Sequence, residues 1–182
     1  MIRNIAMDTS GTRTLWLARQ AVEHHVRTQL LLTPPDDPPA LLKEPGAVFV
    51  TLRVGKTLRG CIGTLSPTKP TLANEIIANA VAAATSDPRF PPVAADELAR
   101  LLYEVDIVGA LEAIHGEHDL DPDQYGVVVE AGSRRGVLLP AIEGVTSVRQ
   151  QVAIARSKAL VRPHDAVILY RFTVTRFREW GD

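Results

Sequence analysis

The hydrophobic positions of the chain change period several times, and each change marks an element. From Thr9 or Ser10, either of which suits a helix cap, Leu15, Ala18, Val22, Val26 and Leu30 recur at helical spacing. This predicts an amphipathic helix running to about Leu32. The segment TPPDDPPALLKEPG, residues 33–46, is dense in proline, which lacks the donor that helices and central strands need, and predicts an irregular connection. AVFVTLRV, residues 47–54, and TLRGCIGTL, residues 57–65, flank Gly55-Lys56 and predict a hairpin. Glycine in the first turn position points to a type II′ turn.

Leu72, Ala73, Ile76, Ile77, Ala80, Val81 and Ala84 form one apolar face, which predicts a helix with Thr71 as its cap and Glu75 in its first turn. DPRFPPV then imposes a turn-rich passage, AADELAR suggests a short helix, and LYEVDIVGAL reads as a strand. GVVVEAG and GVLLP read as strands around a turn at residues 133–135, SVRQQVAIARSKAL as a helix, and AVILYRFTVTRF as one final strand. Helices combined with hairpin-linked strands predict an α+β class, a mostly antiparallel sheet with packed helices, rather than a doubly wound parallel sheet.

Composition narrows the function classes. With 182 residues, the chain is long enough for one sizeable core, and its formal charge of -1 provides no broad polycationic surface for nucleic acid. One cysteine cannot close an internal disulfide, no basic segment leads into an apolar run, and no stretch of eighteen apolar residues occurs. These features lead us to expect a cytoplasmic protein that does not engage a membrane.

That cysteine, Cys61, stands in LRGCIGTL after an arginine and between two glycines. Strand alternation places Arg59 and Cys61 on one face, and hairpin pairing sets Arg59 near Leu52 and Cys61 near Val50. A guanidinium beside the thiol favours thiolate, whereas desolvation favours the neutral form. Gly60 and Gly63 are costly in a strand unless a bulge or the close approach of a ligand or backbone requires them. Two readings stand: Cys61 as a nucleophile, or as a packed cysteine in a glycine-bulged hairpin. Arg59, Arg89, Arg134 and Arg135 are candidate contacts for phosphate or carboxylate, Asp87 is the first acid to examine as a base, and Tyr125 is a further candidate. His115, His118, Asp119, Asp121, Asp123 and Glu130 imitate parts of metal sites, but Gln124 occupies the place of the calcium-loop glycine and no CxxC accompanies the histidines. We therefore expect no metal and no cofactor.

LRGCIGT at residues 58–64, DPRFPP at residues 87–92 and DPDQYGVVVEAGSRRGVLLP at residues 121–140 together resemble three signatures of the AMMECR domain, the A component of the AmmeMemoRadiSam set. The resemblance implies a single α+β domain over the whole chain with a smaller second lobe, a cleft near the LRGCIG hairpin, and a functional link to Memo-like and radical-SAM proteins. It hands over no settled activity. The chain departs from the pattern at LLPAI and ARSKALV, and lacks a tryptophan between them. Two functions compete: a module that binds an anionic small molecule or nucleotide, and a cysteine-dependent enzyme of nucleotide or RNA-base modification.

Overall fold

A computed structural model describes residues 9–162 and 164–180, with side chains from residue 11 onward. The chain forms two compact units, one comprising Gly109–Thr175 and the other the described residues before 109 together with 176–180. Each unit is built around a four-stranded sheet, and the fold is α+β.

Helix α1, Thr9–Thr28, follows the apolar stripe but stops a turn short of the expected end. Gln29 turns into the left-handed region at φ 61° while its amide still bonds the His25 carbonyl, so Leu30 and Leu31 fall outside the helix and stay exposed. The caps expected at Thr9 and Ser10 lie outside the described side chains. The proline segment holds one short helix, α2, Ala40–Lys43, that the sequence reading did not anticipate. Its Leu42 is buried, which gives the otherwise irregular segment an anchor.

Strands β1, Ala47–Val54, and β2, Thr57–Gly63, make the expected hairpin, with Gly55 at φ 57°. Lys56 is not among the positive-φ residues, so only the first turn position needs glycine, as in a type II′ turn. Helix α3, Leu72–Thr85, is capped by Thr71, whose hydroxyl accepts from the Asn74 amide at 3.2 Å. A 3₁₀ turn, Ala95–Arg100, leads into β3, Leu101–Val108. With β8, Val174–Arg178, these strands form a sheet in the order β2-β1-β3-β8.

One face of this sheet is core. Val48, Val50 and Leu52 of β1 and Leu101, Tyr103 and Val105 of β3 pack with Leu17, Val22, Leu72 and Ile76 of the two long helices. Glu75 is buried in α3, yet it accepts bonds from the Thr64 hydroxyl and from the Thr68 and Lys69 amides. The segment after β2 is thereby tied to the helix, and the buried Glu75 carboxylate is supplied with donors.

The other unit contains β4, Glu112–Ile114; β5, Gly126–Ala131; β6, Arg134–Leu138; helix α4, Val148–Lys158; and β7, Ile168–Phe172. Its sheet runs β4-β7-β5-β6. Two expectations are corrected here. The β5–β6 turn lies at Gly132, φ 61°, and Ser133, so Arg134 and Arg135 are strand residues rather than turn residues. The expected final strand is two strands, β7 and β8, in different sheets, interrupted at Thr173, whose carbonyl accepts from the Gly109 amide at 2.8 Å. Among the described residues no helix is long and apolar enough to cross a membrane.

A side chain on Gly60 would overlap the Ala83 carbonyl of α3, so Gly60→Ala must push helix and strand apart. We expect a loss of about 1–3 kcal/mol, read as a lowered urea midpoint at unchanged slope.

Candidate functional site

The hairpin register differs from expectation by one position. The pairs are Phe49↔Gly63, Val50↔Ile62, Thr51↔Cys61 and Leu52↔Gly60, after which Arg53 pairs with Leu58. Arg59 is therefore the extra residue of a β-bulge and has no cross-strand partner, and Cys61 lies opposite Thr51 rather than Val50. Counting back from the turn failed because one bulged residue shifts the parity of everything beyond it. Cys61 is half-buried on the face of the sheet away from α1 and α3, and the Thr51 hydroxyl donates to its Sγ at 3.3 Å.

The bulge also redirects Arg59. Its guanidinium binds the Glu97 carboxylate through Nε at 2.7 Å and Nη2 at 2.8 Å, and reaches the Pro91 and Pro92 carbonyls at 3.0 and 3.3 Å. The expected pairing of Arg59 with the thiol is thus corrected: its fork is committed to Glu97. Arg59's hydrogen bonds hold the Glu97 carboxyl down at about 2.

The cation that faces Cys61 is Arg89. Asp87, almost fully buried, accepts the Cys61 amide at 2.8 Å and the Arg89 side chain at 2.6 and 2.9 Å. These donors, the Arg89 guanidinium foremost, hold Asp87 well below the usual carboxylate range. A carboxylate so supplied is a poor proton acceptor, which removes Asp87 as the base we looked for. Arg89 approaches the Cys61 carbonyl at 3.5 Å, its charge is felt by Cys61, and its side chain remains 53% exposed. DPRFPP therefore runs along the open edge of β2, and the first two sequence signatures form one local structure.

The glycines have a structural explanation. Gly60 admits the Ala83 carbonyl, and Gly63 lies beneath the Phe49 ring, where any Cβ would overlap. Close approach accounts for both, by backbone at Gly60 and chiefly by the Phe49 ring at Gly63, beside the bulge at Arg59, and the approaching groups belong to the protein.

Tyr125, Arg134 and Arg135 belong to the other unit. The Tyr125 ring packs against that unit's core with the Arg171 guanidinium 4.6 Å from its centroid, Arg134 donates to the Leu160 carbonyl at 2.6 Å, and Arg135 pairs with Glu130. Asp119 accepts the His115 amide at 3.0 Å, and among the described residues no three His, Cys, Asp or Glu side chains gather as a metal site.

Sequence reasoning missed the partners of Cys61 on its sheet face. Thr51 pairs with Cys61 on one side and with Glu104 on the other, so Cys61, Thr51 and Glu104 form a row across β2, β1 and β3. Beside Glu104 lie Asp106 and, from β8, Arg176, whose Nε bonds Asp106 at 2.7 Å and stands 3.7 Å from Glu104. Burial first, and Asp106 second, push Glu104 up to about 7. A signal was present: in YEVDIV the acids alternate with Tyr103, Val105 and Ile107, placing two carboxyls on one face of an otherwise apolar strand.

Two outcomes follow. Glu97 has a lower value folded than unfolded, so its stabilisation is complete above about 4.5 and is lost as pH falls through about 2. Glu97→Gln should flatten the fall in melting temperature over that window. Arg89→Leu should slow alkylation of Cys61 at pH 7 several-fold, whereas Arg59→Leu should leave the rate within about twofold and lower the melting temperature.

Comparison with known proteins agrees with this architecture. A family model described as AMMECR1 matches residues 15–178. A protein of Thermotoga maritima is 48% identical over 166 residues, covering 90% of this chain and 95% of its own. One from Thermococcus kodakarensis is 35% identical over 188 residues, covering 94% and 91%. The crystal structure of an uncharacterised protein from Pyrococcus horikoshii superposes with a TM-score of 0.89 at 33% identity, over 95% of this chain and 93% of that one. The model match spans nearly the whole chain, and the relatives are similar over almost their full length: the chain belongs to the AMMECR1 family.

Proposed function

We propose that this protein is a cysteine-dependent enzyme whose Cys61 thiolate attacks an electrophilic carbon of a small molecule bearing an anionic group, the new S–C bond forming as the bond from that carbon to its leaving group breaks and the leaving group departs with the electron pair, with Arg89 as the adjoining cation. The observation that carries this reading is the setting of the sulfur. It is half-buried, it accepts from the Thr51 hydroxyl, and it has beside it an arginine that Asp87 fixes in place while leaving half of it exposed. A hydroxyl donor and a guanidinium both favour the thiolate over the thiol.

The alternative, a module that holds an anion through several arginines, has less support. Arg59 is bound to Glu97, Arg135 to Glu130 and Arg134 to a backbone carbonyl. Arg89 keeps its outer face for a ligand, which suits one carboxylate or phosphate rather than a polyphosphate.

Native protein incubated with iodoacetamide at pH 7 should be labelled at Cys61 faster than the chain in denaturant, and Cys61→Ser should take no label. A native protein that resists labelling from pH 7 to 9 and is labelled only on unfolding would exclude the nucleophile and leave the binding module.

A further inference from the structure

The outer face of the β2-β1-β3-β8 sheet carries more charge than a buried surface ordinarily holds. Thr51 is 6% exposed, Glu104 8%, Asp106 0% and Arg176 7%. Arg176 lies close to both carboxyls, and its bonds are unequally shared. Arg176 gives Asp106 two hydrogen bonds, at 2.7 and 3.3 Å, and comes no nearer to Glu104 than 3.7 Å. Asp106 takes the shorter bonds of Arg176, and Glu104, nearly buried, has that guanidinium no nearer than 3.7 Å.

Among the described residues, several charged groups face Glu104. Asp106 on its own strand opposes its ionisation, whereas Arg53 from β1 and Arg176 and Arg178 from β8 favour it. The loss of solvent outweighs those arginines, so the carboxyl releases its proton near neutral pH. Cys61 stands in the same row, faced by Thr51 from β1 and by the Asp87–Arg89 pair along the sheet edge. Two strand spacings separate the backbones of Cys61 and Glu104, about 10 Å.

We propose that Glu104, in one row with Cys61 across Thr51, controls the ionisation of the thiol through its charge. This rests on the reading of Cys61 as the reactive thiol. When Glu104 is protonated, the thiolate forms beside Arg89 without a negative charge on that carboxyl across Thr51. When Glu104 is ionised, a second negative charge at Cys61 is opposed. With about 10 Å between the charges and an effective dielectric constant near 20, the opposition is worth roughly tenfold in the acid dissociation of the thiol. Glu104 is thus a positioning residue acting through its field, and the two groups titrate as a pair.

The test is the pH profile of iodoacetamide alkylation for the wild type and for Glu104→Gln. The wild-type rate should climb with a slope below one per pH unit between about pH 6.5 and 8.5 as Glu104 ionises. Glu104→Gln should give a simple one-site curve with its midpoint about one unit lower, so that alkylation is up to about tenfold faster at pH values below both midpoints. Superimposable profiles, or a slower variant, would overturn the coupling while leaving Cys61 as the nucleophile. A wild-type thiol that does not label in the native state would overturn both. If Glu104→Gln fails to fold, carbon-13 titration of the Glu104 carboxyl gives the same answer. The curve should have two steps in the wild type and one in Cys61→Ser; a single step in both would overturn the coupling.

Discussion

The bond from the Cys61 amide to Asp87 is the constraint on which the candidate site depends. β2 is an edge strand, and its outward amides and carbonyls would otherwise offer a template for unwanted pairing. Asp87 takes the Cys61 amide, Arg89 reaches its carbonyl, and Arg59 reaches back from the strand to the Pro91 and Pro92 carbonyls. The edge is closed by a loop using charged groups, and the same closure sets Arg89 beside the sulfur. An uncompensated buried amide costs about 1–3 kcal/mol, so the geometry of the cysteine and the integrity of the edge are secured together.

The opposite face of β2 is held equally firmly, by absence rather than by bonding. At Gly60 the missing side chain lets the Ala83 carbonyl of α3 reach the strand backbone. The second unit repeats the device: Gly136 of β6 admits the Ala155 carbonyl of α4 in the same manner. In both, a helix lies nearer to a strand than any side chain would permit, and interior packing transmits that closeness as rigidity. Cys61 therefore sits on a strand fixed from three sides, by α3 below, by β1 beside it and by the DPRFPP segment along its edge.

This arrangement redistributes the chemistry. Arginines that look available in the sequence are mostly consumed by neighbouring carboxylates and carbonyls, and a guanidinium already bidentate to a carboxylate has little left for a ligand. On the outer sheet face a thiol, a hydroxyl and a nearly buried carboxyl occupy one row. Arg176 lies nearer to Asp106 than to Glu104, and burial pushes both carboxyls up.

By itself the sequence determined whatever depends on residues near one another in the chain. The Gly55 turn, the Thr71 cap, the apolar face of α3 and the strand alternation in β1 and β3 were legible because their causes are local dihedral preference and periodicity. The LRGCIGT and DPRFPP motifs stand apart in sequence, and only the tertiary structure decided that they form one local structure. The bulge at Arg59, the division of AVILYRFTVTRF between two sheets and the close approach of α3 at Gly60 each involve a partner far away in sequence. Which cation faces Cys61 and which acid stays near its neutral form followed from those distant contacts. Charge interaction depends on separation in space and on access to water, and neither quantity is written in the order of the residues.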